Sequence, residues 1–453
     1  MHRSRLLTRM KHLTFLLVVT SLAAASAAED GVPRWWKGNL HTHTLWSDGD
    51  GFPDMVTDWY AANGYDFLAL SDHNVLSRGE RWLDVRDVNK RANNRAISNA
   101  PPVDAFASYV QRFGTNWVQT RPSPLNRETQ VRLKPLDELR TRFEQPGKFL
   151  MIEAEEITHE AANGRAIHIG AVNVLEAIKP VDGATVREVI EKNLRAVEES
   201  AARTGRKALV HVNHPNYKWG VTAEDLAAVI NERFFEIWNG VDGDNDPGDV
   251  QHPSTDEIWD IANTLRLVGL NLPPLLAVAT DDSHDYHNNK LRARPGRAWV
   301  MVHTRWLTPE SVIGALHAGE FYASTGVVLE AVRFDEKARR LAVTIKADGS
   351  ETYSTKFVGT RRGVSLSGKP RLDSAGRVVE TTLDYRTASG PQIGEVLHEE
   401  SGLHPSYTLK GDELYVRAVV TSSGAPRVPS SEFPFKRAWT QPVGWRIEAR
   451  EAK

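Results

Sequence analysis

Between Lys37 and Gly49 the chain reads KGNLHTHTLWSDG, which places His41, His43 and Asp48 close together. Side chains at i and i+2 of a strand face the same way, so His41 and His43 can grip one ion where a strand end opens into a site. A lone His-x-His pair is weak evidence for a metal. The other apolar runs strengthen it. Run 66–70 leads into Ser71-Asp72-His73, and run 148–152 into Glu153-Ala154-Glu155-Glu156-Ile157-Thr158. Ala166-Ile167-His168-Ile169 follows; run 208–212 ends in Asn213-His214-Pro215, and run 275–279 in Thr280-Asp281-Asp282-Ser283-His284. Metal-ligating types at or near the C-terminal end of strand after strand mark the edge where parallel α/β barrels build their sites. Capping and core hydrogen bonds account for one or two such residues, not for the set. Spacing alone leaves rivals: Glu153 and Glu155 beside Glu156, His211 beside His214, and Asp281 beside Asp282.

The elements that position these residues alternate from about 36 to 330. The apolar runs, with 234–238, have strand length. Amphipathic stretches separate them: one spans 185–202, one opens at Thr222 with acids in its first turn, and one opens at Thr308 with proline in its first turn. That alternation predicts a parallel α/β barrel or a doubly wound sheet. Residues 80–133 break the rhythm and form a long insertion, expected over one end of the barrel. From about 334 to 453 the pattern turns to period 2, as in 340–345 and 413–420, predicting a small C-terminal β domain.

With these motifs in order, the chain resembles the PHP (polymerase and histidinol phosphatase) metal-dependent phosphoesterases. The matching residues are His41-Thr42-His43 with Ser47-Asp48-Gly49, Ser71-Asp72-His73, Glu156-Ile157-Thr158, His168, His214-Pro215 and Asp282-Ser283-His284, spanning 41–284. The resemblance implies a distorted seven-stranded βα barrel, occupying 29–333 here, and a site for three divalent ions. It implies one ion on His41, His43, Glu156 and Asp282, a second on Glu156, His168 and His214, and a third on Asp48, His73 and His284. Glu156 and Asp282 would then serve catalysis through the metal. The implied reaction is hydrolysis of a phosphate ester by a metal-activated hydroxide, with zinc, manganese or iron as the ion. If the leaving group needs a proton, Asp72 and Asp281 are the nearest candidates. Arg165, Asn213, Lys218 and Asn239 lie near ligand-bearing segments without a motif behind them, and so do His159, His252 and His287. The insertion and the C-terminal domain depart from the family's compact pattern.

The 453 residues are 41% hydrophobic and 25% charged, with a net charge of -2. That balance gives no footprint for nucleic acid or a membrane surface. Small phosphate esters are the expected substrates, although the basic run at 89–95 is where an oligonucleotide would lie. There is no cysteine, so any metal is held by His, Asp or Glu. A basic start, the apolar run from Leu13 and Ala25-Ser26-Ala27 form a secretory signal over 1–28, too short to span a bilayer. A secreted or periplasmic protein without a stable membrane anchor is expected. Two other readings stay open: hydrolysis of a non-phosphate bond, and a non-catalytic metal- or glycan-binding protein using Trp439 and Trp445 of the β domain.

Overall fold

Several strands of the α/β part are buried along almost their whole length, which is why they read as continuous apolar runs rather than alternating ones. Among them are Phe67–Leu70, Leu209–Val212, Phe234–Asn239 and Leu276–Thr280. The computed structural model describes residues 31–94, 100–126, 128–287, 292–379 and 381–446. The expected signal, 1–28, lies outside the described residues. The described residues from Pro33 to Arg446 pack as one unit.

The protein is mixed α/β, built on a 13-stranded sheet. From one edge the order is Leu276–Thr280, Phe234–Asn239, Leu209–Val212, Ala166–Val172, Leu150–Glu160, Phe67–Leu70, Arg34–Asn39, Trp299–Thr304, Phe321–Ser324, Arg437–Thr440, Glu413–Ser422, Tyr353–Arg361 and Glu395–Ser401. Parallel pairing joins Arg34–Asn39 to Phe67–Leu70 and on to Leu150–Glu160, and joins Leu209–Val212 to Phe234–Asn239 and Leu276–Thr280. Ala166–Val172 runs antiparallel to both neighbours. The first edge does not end free: Asp282 N donates to His41 O and His43 N to Ser283 O, both at 3.0 Å. These bonds tie the extension of Leu276–Thr280 to that of Arg34–Asn39.

The helices begin and end where side chains supply the missing backbone partners. Thr185 accepts from Glu188 N at the start of Val186–Thr204, and Gly205, at φ 69°, closes it. Thr222 with Asp225, and Ser254 with Glu257, form capping boxes for Ala223–Ala228 and Thr255–Thr264. These helices bury Val189, Ile190, Leu226 and Trp259 against Ile157, Ile169, Val212 and Phe235. A second core unites Phe67, Ile152, Leu209, Phe234 and Val278 with Val312, Ile313 and Leu316 of helix Pro309–Ala318. Period 2 carries that second face upward into polar residues: Ile152 and Ala154 lead to Glu156, Phe234 leads to Glu236, and Val278 and Thr280 lead to Asp282.

The insertion has its own structure. Arg81–Asp84, Thr129–Leu133 and Thr120–Pro122 form a small sheet beside helices Val85–Asn93 and Ala105–Phe113. Val88, Tyr109, Val131 and Leu133 pack on Leu45, Trp46 and Phe52. Arg81 donates to Trp46 O, and Arg91 donates to Ser47 O and Gly49 O. The excursion therefore grips both sides of Asp48. The β-rich segment after residue 333 extends the main sheet: Arg437–Thr440 pairs with Phe321–Ser324 on one side and Glu413–Ser422 on the other.

Candidate metal centre

His41 and His43 follow the strand Arg34–Asn39 and are fully buried. Asp48 sits in the next loop, His73 follows Phe67–Leu70, and Glu156 lies within Leu150–Glu160. His214 follows Leu209–Val212, and Asp282 and His284 follow Leu276–Thr280. His168 arrives differently from the parallel pattern the sequence suggests. It is near the start of Ala166–Val172, and because that strand is reversed, its beginning lies at the rim where its parallel neighbours end. All nine residues fall into four overlapping groups, each with its ligand atoms within 4.8 Å: His43, Asp48, His73 and His284; His41, His214 and Asp282; His41, His43 and Glu156; and His73, Glu156 and His168. His214 and Asp282 adopt positive φ, 25° and 45°. Such backbone costs about 1–3 kcal/mol per residue and persists where the surroundings fix it. Glu236 Oε2 holds His214 N at 2.9 Å, and His41 O holds Asp282 N.

The donor set fits cations. His41 Nδ1 faces Glu236 Oε1 at 2.8 Å and His284 Nδ1 faces the Asp282 carbonyl oxygen at 2.7 Å. His43 Nδ1 lies 3.3 Å from Ser47 Oγ, whose own proton goes to Asp72 Oδ1 at 2.6 Å. Each outer nitrogen thus donates outward, leaving the Nε2 lone pair to point inward. Those lone pairs meet other acceptors: His41 Nε2 is 3.0 Å from His43 Nε2, 3.2 Å from Glu156 Oε1 and 3.1 Å from Asp282 Oδ1. His43 Nε2 is 3.0 Å from Asp282 Oδ1, and His284 Nε2 is 3.3 Å from Asp48 Oδ1. Ligands about 2.0–2.2 Å from an ion lie about 3.0–3.5 Å from one another, matching these spacings. Glu156 Oε2, Asp282 Oδ1 and His168 Nδ1 are buried without a hydrogen-bond partner. Acceptor facing acceptor in a buried space calls for cations or protons between them.

Without ions, protons fill that role. Burial works against the charged form of His284, but Asp282 and Asp48 hold its pKa up at about 10. Burial likewise opposes charge on His214, and Glu156 raises it to about 9. Burial with the neighbouring His284 and His73 pushes His43 down to about 3. Ligation requires neutral imidazole, so divalent-ion binding is expected to release protons, and apparent affinity to rise from pH 7 toward pH 9. Titration calorimetry in buffers of different ionisation enthalpy reads both. The same groups fix the sign for ion-free stability. His214 and His284 contribute fully below the unfolded value of about 6.5 and lose that contribution as pH rises through about 9–10. The melting temperature of metal-free protein is therefore expected to fall over that window, once the other titrating groups are held common by comparison with His284→Gln.

Several residues near the cluster have clear supporting roles. Glu236, an acid inside the apolar run 234–238, accepts from His41 Nδ1, His214 N, Asn239 Nδ2 and Thr280 Oγ1. Burial opposes its ionisation, yet His41 brings its pKa to about 2. The sequence signal was the lone carboxylate itself, since nothing apolar explains it. Glu236→Gln is expected to weaken metal affinity about 10- to 100-fold by unsettling the His41 tautomer, with little change in fold; competitive chelator titration checks this. Asn213 donates to Glu156 Oε1 at 2.8 Å and Asn239 to Asp282 Oδ2 at 3.2 Å, so both orient carboxylates. Lys218 is exposed, over the Tyr217 ring.

The rivals are engaged elsewhere. Glu153 pairs with Arg78, and Glu155 accepts from Ile178 N, with burial raising its pKa to about 7. His211 is buried beside Glu236, its ring closely covering Gly170. Asp281 accepts from the backbone of Gly296, Arg297 and Ala298 and from Tyr60, while Asp72 binds Thr44 and Ser47. Neither is aimed at a substrate proton. His159 pairs with Asp182, His252 stacks on Trp219, and His287 meets the Asp50 carbonyl oxygen. Trp439 is 1% exposed near Trp238, a core position that offers no face to a sugar.

No family model and no curated protein matches the chain. Solved structures resemble it, two of them as follows. One, from Bacteroides vulgatus, is described as a two-domain protein containing a predicted PHP-like metal-dependent phosphoesterase; it is 13% identical, with a TM-score of 0.35, over 92% of this chain and 98% of that one. The other, from Bifidobacterium adolescentis, is described as a candidate metal-dependent phosphoesterase; it is 12% identical, with a TM-score of 0.28, over 58% of this chain and 94% of that one.

Proposed function

We propose that the chain is a secreted PHP-type phosphoesterase that hydrolyses a small phosphate ester at a site for three divalent ions. The observation that carries this reading is the convergence of inward lone pairs from His41, His43 and His284 on Glu156, Asp282 and Asp48 in a buried space. A seven-stranded barrel is the matching architecture. It is supported by the parallel-rich strand order and by the bonds linking residues 41 and 43 to 282 and 283. Secretion is supported by the sequence over 1–28, and no helix among the described residues is long and apolar enough to cross a membrane.

Divalent zinc, manganese or iron in such a site supplies an activated water nucleophile and neutralises charge on the phosphoryl oxygens. The protein's own task is placement. Glu156, reaching histidines on several strands, and Asp282, between His41 and His43, fix the ligand array. Three carboxylates among nine ligands leave a tripositive excess unbalanced, which favours an anionic substrate. Arg292, which lines the same pocket, adds a cation.

The test is phosphate release by mature protein loaded in turn with manganese, zinc and iron(II), across sugar phosphates, nucleotides, a phosphotyrosine peptide and a chromogenic diester. Activity lost in His41→Ala and Asp282→Ala, with metal measured on the same samples, supports the proposal. Metal-replete protein silent on every ester defeats it and turns attention to amide or lactone hydrolysis. N-terminal sequencing of secreted material tests cleavage near Ala27.

A further inference from the structure

Seven of the nine metal-type side chains line a pocket whose remaining wall is formed by Tyr217, Val241, Asp244, Arg292 and Ala293. Asp244 stands out. It is 3% exposed, yet no hydrogen bond to its carboxylate is found among the described residues. Its ion-pair partner there is Arg292, whose Nη2 lies 4.0 Å away, beyond hydrogen-bond reach. Two other buried carboxylates nearby are well supplied: Asp281 takes three backbone N–H groups, and Glu236 takes four donors. Asp244 lines the pocket, so a carboxylate with no donor from the described residues is placed to take one from a ligand.

Looseness does not explain the missing partner, because the loop is pinned on both sides. Asp242 N donates to Arg292 O at 2.9 Å, and Arg292 Nε returns a bond to Asp242 O at 3.0 Å. From the β-rich segment, Ser430 Oγ donates to Asp242 Oδ1 and Glu432 Oε1 accepts from Gly243 N, both at 2.7 Å. Asp244 and Arg292 therefore present an acceptor and a donor side by side over the metal cluster.

That pair discriminates among leaving groups. An ammonium satisfies Asp244 but is repelled by Arg292. A second phosphate suits Arg292 but is repelled by Asp244. A neutral hydroxyl satisfies both, donating to one and accepting from the other. Tyr217, half-buried beside His214 and His168, offers a ring face to the carbon skeleton. We propose that Asp244 and Arg292 form a leaving-group subsite selecting esters whose alcohol carries further hydroxyls, namely sugar and polyol phosphates. This rests on the phosphoesterase reading above.

Glycerol 2-phosphate and isopropyl phosphate share a carbon skeleton and differ in two hydroxyls, so they are the probes. Phosphate release and calorimetric binding are measured for both, on metal-loaded wild type, Asp244→Ala and Arg292→Ala. Wild type is expected to favour the glycerol ester about 10- to 100-fold in kcat/KM, because a site built to pair hydroxyls rejects the analogue lacking them. In Asp244→Ala the ratio is expected to collapse toward unity through KM, with metal content unchanged. The ratio is the readout, so a general loss of activity does not imitate it. A wild type without preference, an Asp244→Ala variant slowing both esters equally in kcat, or one that loses metal overturns the proposal. Wild type that hydrolyses neither ester but cleaves another of the wider panel overturns the subsite, whereas silence on the whole panel defeats the phosphoesterase reading instead. An Asp244-dependent binding preference in calorimetry then still upholds the subsite, and its absence removes both.

Discussion

Glu156→Ala is expected to strip metal from the site and lower phosphate release by at least about 10³-fold, the equivalent of about 4 kcal/mol of transition-state stabilisation. No other side chain in the cluster meets so many histidines. Glu156 Oε1 lies 3.2 Å from His41 and His168 and 3.3 Å from His214, and Oε2 lies 2.6 Å from His73 and 3.4 Å from His43. Interactions with His41, His73 and His168 drive its own pKa well below the usual carboxylate range against the cost of burial. Its loss leaves five imidazoles without their shared anion, and neighbouring ions would repel each other more strongly across the gap. Glu156→Gln keeps the shape and a partner for Asn213, so it separates charge from packing. Metal analysis beside turnover decides the matter: Glu156→Ala that stays metal-replete and near wild-type activity sinks the assignment.

The cluster was legible where ligands come in short motifs. His41-Thr42-His43, Asp72-His73 and Asp282-Ser283-His284 place chemistry on strand ends, and period 2 suffices to aim the paired histidines. His168 was legible as a residue but not by its strand's direction, because antiparallel insertion into a parallel-rich sheet leaves no local mark. Glu236 and Asp244 are isolated acids, and only the fold shows that one meets His41 while the other has no hydrogen-bond donor among the described residues. The insertion was visible as a break in rhythm. Its packing against Trp46 was not, because a surface excursion and a small core against Leu45, Trp46 and Phe52 share the same mixed composition. Strand composition after residue 333 announced β structure, while pairing partners are non-local, so continuity with the main sheet could not be read from it.

That continuity makes removal of 334–453 a severe change: the remaining chain is expected to lose cooperative folding rather than persist as a smaller enzyme. Phe321–Ser324 would lose its neighbour Arg437–Thr440 and become an open edge. Trp439 would leave the core, and Gln441, which bonds both Ala277 N at 2.9 Å and Ala277 O at 3.0 Å, would no longer pair with that strand. Asp260 would be worst placed. It is buried and receives Arg417 Nε at 2.9 Å, Arg417 Nη2 at 2.6 Å and Tyr415 OH at 2.7 Å. Breaking such a pair costs about 3–5 kcal/mol by itself, against a total stability of about 5–15 kcal/mol for a folded domain. The loop carrying Asp244 would also lose Ser430 and Glu432. Arg417→Ala isolates the ion-pair share and is expected to lower stability by about 3–5 kcal/mol in denaturant titration. If the truncated chain melts cooperatively and binds its full metal complement, the β-rich segment is an appendage. A non-cooperative melt beside a destabilised but metal-competent Arg417→Ala makes that segment part of the structure that positions the site.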